Sequence, residues 1–315
     1  MMTIRRNPTK GNKILIVGAG AVGGYFGAHL CRAGQDVTFL VRPKTALTIS
    51  KAGLSVVSPL GNFTVHPSLI QQASEVAFVD LVILAVKCTD LQEALDAVAP
   101  LVHAGATLLT LQNVVDSEER ILSYFNHQDC VVAGVVYITA RLAASGRIEH
   151  YRRGTISIGE ISGQISERVQ KIHTWIAQSG IPCHITNQIQ NEKWEKLCWN
   201  ATFNPLSVLL NCPLSFILKS DDLLEIVRET MSEIISVAAA ERFSLHPDII
   251  EKTIAVTYAL ENYYTSMYED YKKGRFTEIE HLNGDVIRRG KKHGIPTPTN
   301  RVLYSLIKGL EAKRL

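Results

Sequence analysis

The chain has 315 residues, enough for one large or two ordinary domains. Hydrophobic residues make up 46% of it and mean hydropathy is close to zero, as in a soluble globular protein with an ample core. A net charge of +3 leaves no global electrostatic footprint for nucleic acid, and no apolar run is long enough to span a bilayer.

The polar, basic leader, residues 1–12, reads as a disordered tail without a signal-peptide core. Residues 13–17 form an apolar strand that runs straight into Gly18-Ala19-Gly20-Ala21-Val22-Gly23, a G-x-G-x-x-G turn. Gly18 permits the tight turn, Gly20 lets backbone approach a diphosphate, and Gly23 lets the next helix pack on the strand. That helix is expected over residues 21–31, with Gly34 as its stop, and a second strand over 36–41. A dinucleotide site is the reading this context favours over a bland turn. After the second strand stands Arg42, with Lys44 close by, where NAD sites place Asp or Glu. A cation there suits a 2′-phosphate and favours NADP(H), against the plainer reading of a surface arginine.

Further strands are expected over residues 81–86, 107–111, 131–139, 154–159 and 181–185, the fourth antiparallel or edge-like. Helices are expected near 91–101 and 166–179. Alternation of β and α points to a doubly wound sheet over residues 13–186. From residue 187 to 315 only helices are expected, near 192–202, 221–242, 247–258, 278–292 and 299–312. A dinucleotide domain followed by an all-α domain leaves a cleft between them, a common place for ligand sites. Cys31, Cys88, Cys130, Cys183, Cys198 and Cys212 are scattered, which suits reduced thiols in a cytoplasmic protein and neither disulfides nor zinc. The dispersed histidines offer no metal site either. Arg288, Arg289, Lys291, Lys292 and His293 read as a solvated helix face. A helical domain can bury a dimer face, although no pattern demands a homodimer.

Lys87 and Asn113 each follow a predicted parallel strand, at the end of the sheet where such folds bind ligands. Asn113 would serve equally as a helix N-cap. Lys196, Asn200 and Asn204 recur at i, i+4 and i+8, so they share one helix face beside Pro205; an exposed polar face is the bland alternative. Lys193 reads as an ordinary surface lysine. Glu278 in a first helical turn would simply compensate the dipole, and Ser266 alone is unremarked.

Taken in order, these stretches resemble the ketopantoate reductases (2-dehydropantoate 2-reductases) from Lys13 to about Leu310. They are the glycine turn, Val86-Lys87, Gln112-Asn113, Lys196-Leu197-x-x-Asn200-x-x-x-Asn204-Pro205, Ser266-Met267, Thr277-Glu278-Ile279-Glu280-x-x-Asn283-Gly284 and His293-Gly294-Ile295-Pro296-x-Pro298-x-Asn300. The resemblance implies a Rossmann-type domain binding NADPH and a helical domain like the C-terminal domain of 6-phosphogluconate dehydrogenases. It implies Lys196 as the catalytic lysine and Glu278 as the second key residue. Asn200, Asn204 and Ser266 fall at substrate-contacting positions, and Lys87 and Asn113 at positions bordering nicotinamide and substrate. The reaction implied is reduction of the 2-keto acid ketopantoate to pantoate, in pantothenate and coenzyme A synthesis. Two departures stand near the substrate: Val114 replaces the glycine usual after the asparagine, and Tyr263-Tyr264 replace an asparagine, with Asn262 one step out of register. They motivate a paralogue acting on another branched or aromatic 2-keto acid. A non-catalytic NADP(H)-binding sensor is the alternative from a different class.

Overall fold

The computed structural model describes residues 12–126, 129–143, 146–260 and 262–314. The leader expected to be a disordered tail lies, except for Asn12, outside the described residues. The chain divides into two compact units. The first holds residues up to Gln112 and Ser117–Ile189; the second holds Asn113–Asp116 and Gln190–Leu315. The division falls three residues after the expected boundary, and the short segment after Gln112 belongs with the helices.

In chain order the first unit contains β1 (Lys13–Val17), α1 (Ala21–Arg32), β2 (Asp36–Leu40), α2 (Pro43–Ala52), β3 (Leu54–Val57), β4 (Phe63–Val65) and β5 (Ser68–Ile70). There follow β6 (Leu81–Leu84), α3 (Leu91–His103), β7 (Thr107–Thr110), α4 (Ser117–Phe125), β8 (Val131–Leu142), β9 (Ile148–Gly159), α5 (Glu167–Gln178) and β10 (Cys183–Ile185). One sheet runs β4-β3-β9-β8-β7-β6-β1-β2-β5, with β10 also paired to β9. β1, β2, β5, β6, β7 and β8 form its parallel part. Leu81, Val82, Ile83 and Leu84 are all buried, because a central parallel strand is covered on both faces. β1 pairs with β2 on one side and β6 on the other, so the chain order reverses between β1 and β6. Such a reversal opens the crevice used for ligands in doubly wound sheets.

β9 is antiparallel to β8, as the alternation at 154–159 suggests, but it is longer and is not an edge. β3 and β10 both pair with it. Arg141 and Glu149 face each other across the β8–β9 ladder and form an ion pair at 2.6 Å, which Arg147 joins at 2.7 Å.

The second unit contains α6 (Ile189–Leu210, which starts at the boundary), α7 (Leu214–Ile217), α8 (Asp221–Ala240), α9 (Ile249–Tyr258), α10 (Ser266–Lys272), α11 (Asn283–His293) and α12 (Pro298–Ala312). α6 is longer than expected and carries Pro205 in its interior. From Asn200 to Val208 every residue is buried, so α6 is a central helix and presents no open polar face there. This also corrects Lys193, which is 4% exposed and not a surface lysine. The basic cluster is corrected likewise at Arg289, which is buried and bonded to Asp285 and Glu241, both at 2.8 Å. Burial penalises the Glu241 charge, but His293, Lys292 and Arg289 outweigh it and hold the carboxyl below its ordinary range.

All six cysteines are free thiols. Burial pushes Cys198 up to about 12, which keeps it protonated and inert. Among the described residues no helix is long and apolar enough to cross a membrane, and no cluster of side chains could hold a metal ion.

Candidate active site

In the first unit, the turn between β1 and α1 shows why three glycines stand where they do. Gly18 has φ +96°, a backbone region that L side chains avoid. Its N–H donates to the Leu40 carbonyl at 3.2 Å, tying the turn to the end of β2. A Cβ on Gly23 would collide with the Gly18 carbonyl oxygen and stand 2.8 Å from Ala85 Cβ. Gly20 differs: a Cβ there would meet nothing within 4 Å. It caps α1 with no side-chain hydrogen bond and no acidic residue in the first turn. The first N–H groups of α1, from Ala21, Val22 and Gly23, have no intrahelical acceptor, and the dipole there favours negative charge. Buried Ala19 completes the turn. The open space over Gly20 and the uncapped helix end fit a diphosphate.

Arg42 lies exposed just beyond β2 and caps α2 ahead of Pro43. Its guanidinium contacts Asp90 at 3.4 Å and Glu93 at 3.1 Å. These carboxylates sit after β6, so the cation projects toward the same end of the sheet. Lys87 is half-buried, and it precedes a short helical turn at Cys88–Asp90. Gln112 Nε2 donates to the Val86 carbonyl at 3.2 Å, joining the loops after β6 and β7.

In the second unit, Lys196 Nζ donates to Asn113 Oδ1 at 2.5 Å. Asn113 is therefore no simple helix cap: it is a half-buried acceptor for the ammonium. Asn200 and Asn204 follow Lys196 along α6, both buried. Asn204 Oδ1 is buried and has no hydrogen-bond partner among the described residues. Left that way, such an acceptor costs about 1–3 kcal/mol, so it is a natural receptor for a ligand hydroxyl.

Glu278 is corrected in its setting. It lies in a turn before α11, not in the helix's first turn, which starts at Asn283. The turn is fastened by Thr277 N–H to Glu311 at 2.7 Å and by the N–H groups of His281 and Leu282 to the Glu278 carbonyl at 3.0 and 3.1 Å. Glu278 itself is half-buried. His281 Nδ1 donates to Asp116 Oδ2 at 3.0 Å, since a carboxylate only accepts. The turn bearing Glu278 is thereby joined to the four-residue segment bearing Asn113. Asp116 and His281 are additions that sequence reasoning did not single out; they stand 165 positions apart and belong to no local pattern. Ser266 opens α10 on the surface, following its capping residue Thr265.

The two departures also resolve. Val114 is fully buried, and its φ is not positive, so the segment needs no glycine at that position. Tyr263 is half-buried, and burial pushes its hydroxyl up to about 12. Tyr264 lies against Tyr268 with ring centroids 4.4 Å apart, and Asn262 is exposed at φ +53°.

The family model described as Ketopantoate reductase PanE/ApbA matches residues 14–163, and Ketopantoate reductase PanE/ApbA C terminal matches 188–311. A 2-dehydropantoate 2-reductase of Pyrococcus abyssi is 30% identical, with 95% of this chain and 98% of that protein covered. The chain belongs to the ketopantoate reductase family. An uncharacterised oxidoreductase of Bacillus subtilis, YkpB, is also 30% identical, over 96% of this chain and all of that protein. Among solved structures, a ketopantoate reductase from Ralstonia eutropha superposes with TM-score 0.89 at 32% identity, covering 96% of this chain and 99% of the other. A D-mandelate dehydrogenase determined with NADH and anilino(oxo)acetate superposes with TM-score 0.88 at 26% identity, covering 96% and 99%. The chain is thus an oxidoreductase of the ketopantoate reductase family, with the family's mixed-sheet and helical architecture.

Several stretches that carry the likeness to ketopantoate reductases now have a structural reason. Asn300 and Thr299 open α12, and their N–H groups donate to Glu233 of α8 at 2.9 and 2.7 Å. Gly294 takes the left-handed conformation that ends α11.

Proposed function

We propose that this protein reduces 2-dehydropantoate to pantoate with NADPH, with Lys196 as the proton donor. The observation that carries the reading is the Lys196–Asn113 bond, which points an ammonium at a fixed place in the second unit. An ammonium has three donors. Asn113 engages one, and in this reading the ammonium also meets the oxygen of a keto group.

The glycine turn fits the diphosphate of the cofactor through Gly18, Ala19, Gly20, Ala21, Val22 and Gly23, and Arg42 suits its 2′-phosphate. The carboxylates of Asp90 and Glu93 compete for Arg42, but exposed ion pairs are weak and exchange readily. Lys87 and Asn113 border the nicotinamide and the substrate in this reading. When bound, NADPH supplies the hydride that the keto carbon receives. Lys196 stabilises negative charge on the keto oxygen and delivers the proton that neutralises it. Glu278 accepts a hydrogen bond from a substrate hydroxyl. Asn204 Oδ1, buried without a partner among the described residues, accepts another, and Asn200 and Ser266 complete the orientation of the keto acid. The six free thiols suit a cytoplasmic enzyme serving pantothenate and coenzyme A synthesis.

A second reading, reduction of a different branched or aromatic 2-keto acid, draws on the aromatic approach of Tyr263 and Tyr264 and on the likeness to a D-mandelate dehydrogenase. A non-catalytic NADP(H) sensor would have no use for Lys196 and Glu278 together. The deciding experiment is a substrate panel with NADPH, comparing kcat/KM for ketopantoate, other branched 2-keto acids and phenylglyoxylate. Highest efficiency with ketopantoate is expected. Highest efficiency with phenylglyoxylate selects the second reading, and cofactor binding without any turnover selects the sensor.

A further inference from the structure

Pro205 sits inside α6, immediately after Asn204. A helix bonds each N–H to the carbonyl four residues earlier, and proline has no N–H. The carbonyl of Ala201 therefore loses its helical donor, and the proline ring crowds it. The structure supplies a substitute: Asn283 Nδ2 donates to the Ala201 carbonyl at 2.8 Å. Asn283 is fully buried at the first position of α11.

The direction of that amide is fixed from outside. Asn300 Nδ2 donates to the Thr230 carbonyl at 3.2 Å and to Glu233 Oε2 at 2.8 Å. Its Oδ1 is thus turned to Asn283, whose Nδ2 donates to it at 3.0 Å. An amide nitrogen has two hydrogens, and both are used: one on Asn300 and one on Ala201. A chain of side chains from α8 through α12 and α11 ends on the one carbonyl that Pro205 releases.

We infer that Asn283 is a positioning residue, fixing the α6 turn from Ala201 to Pro205 and so setting where Asn204 stands relative to Lys196. The inference rests on the reading of Lys196 and Asn204 as substrate-binding groups. Lys196 and Asn200 lie on the N-terminal side of the interrupted hydrogen bond, and Asn204 lies within the interrupted turn. The tie to α11 defines the offset between them. Asn283 touches neither substrate nor cofactor in this account.

The test is a double-mutant cycle with Asn283→Ala and Pro205→Ala in the full chain, read by thermal midpoint, by NADPH binding and by steady-state kinetics with ketopantoate. Asn283→Ala is expected to lower the midpoint and raise KM about tenfold, with kcat within about threefold and NADPH affinity unchanged. In the double variant, the alanine N–H at 205 reaches the Ala201 carbonyl. The loss in midpoint is then smaller than the sum of the single losses, while KM stays raised because the turn has changed shape. Additive midpoints would overturn the inference, as would an Asn283→Ala enzyme with lowered midpoint and unchanged KM. If Asn283→Ala does not accumulate as folded protein, recovery of folded protein in the double variant is the expected result, and failure to recover counts against the inference. Absence of turnover by the unmodified protein with every 2-keto acid would defeat the functional reading instead, and the midpoint coupling remains measurable in that case.

Discussion

The Lys196 ammonium and the Asn113 side-chain oxygen meet at 2.5 Å although 83 positions separate them in the chain. The bond orients the Lys196 side chain. A hydrogen bond to a charged group is worth about 1.5–3 kcal/mol. Asn113→Ala is therefore expected to lower kcat by about tenfold or more, a larger loss than any weakening of NADPH binding. Single-turnover rates and cofactor titrations of the two proteins check this.

Two glycines of the same turn should fail in opposite ways. Gly23 faces the Gly18 carbonyl with no room for a methyl group, so Gly23→Ala is expected to lower the thermal midpoint by several degrees. Gly20 has φ −73° and open space above it, so Gly20→Ala should fold as well as the parent. Its methyl group would occupy the diphosphate's place, and NADPH binding should weaken at least tenfold. Melting curves with and without NADPH separate the two.

Cofactor preference should turn on Arg42. Arg42→Ala is expected to weaken NADPH by about tenfold and to leave NADH nearly unchanged, since only NADPH carries the 2′-phosphate. Glu93→Gln frees the guanidinium from one of its carboxylates and should tighten NADPH severalfold. Dissociation constants for both cofactors at one ionic strength are the measurement.

The β8–β9 ladder has a pH-dependent clasp. Hydrogen bonds from Arg147, Arg141 and Tyr151 hold the Glu149 carboxyl down at about 2, against an ordinary 4.5. A depressed carboxyl contributes its full stability above the ordinary value and loses it as pH falls toward the depressed one. The thermal midpoint of the parent should thus fall between about pH 4.5 and pH 2, in part because of this group. Glu149→Gln should be slightly less stable at neutral pH and lose less over that window.

How much of this was legible beforehand follows the range of each interaction. The parallel strands and the place of the glycine turn between β1 and α1 are legible, because an apolar run and a turn are local signals. β3, β4 and β5 leave no such signal: each has only three or four residues, too few for periodicity to register. Charge alone suggests the surface for Lys193 and Arg289; their burial depends on what surrounds α6 and α11. The sequence at residues 277–280 reads as the start of a helix containing Asn283-Gly284, yet Glu311, 34 positions away, accepts from the Thr277 N–H and fastens a turn there. The Asp116–His281 pair and the Asn283–Ala201 tie link distant segments and leave no trace in local pattern.

The central claim is that Lys196 delivers the proton in an NADPH-dependent reduction of a 2-keto acid. Its most direct test is the steady-state oxidation of NADPH with ketopantoate by the parent protein and by Lys196→Ala, with NADPH binding measured on both. Turnover by the parent, and a loss of two or more powers of ten in kcat for a variant that still binds NADPH, is the predicted result, the usual scale for a positioned acid. A Lys196→Ala protein that turns over ketopantoate as fast as the parent would contradict it.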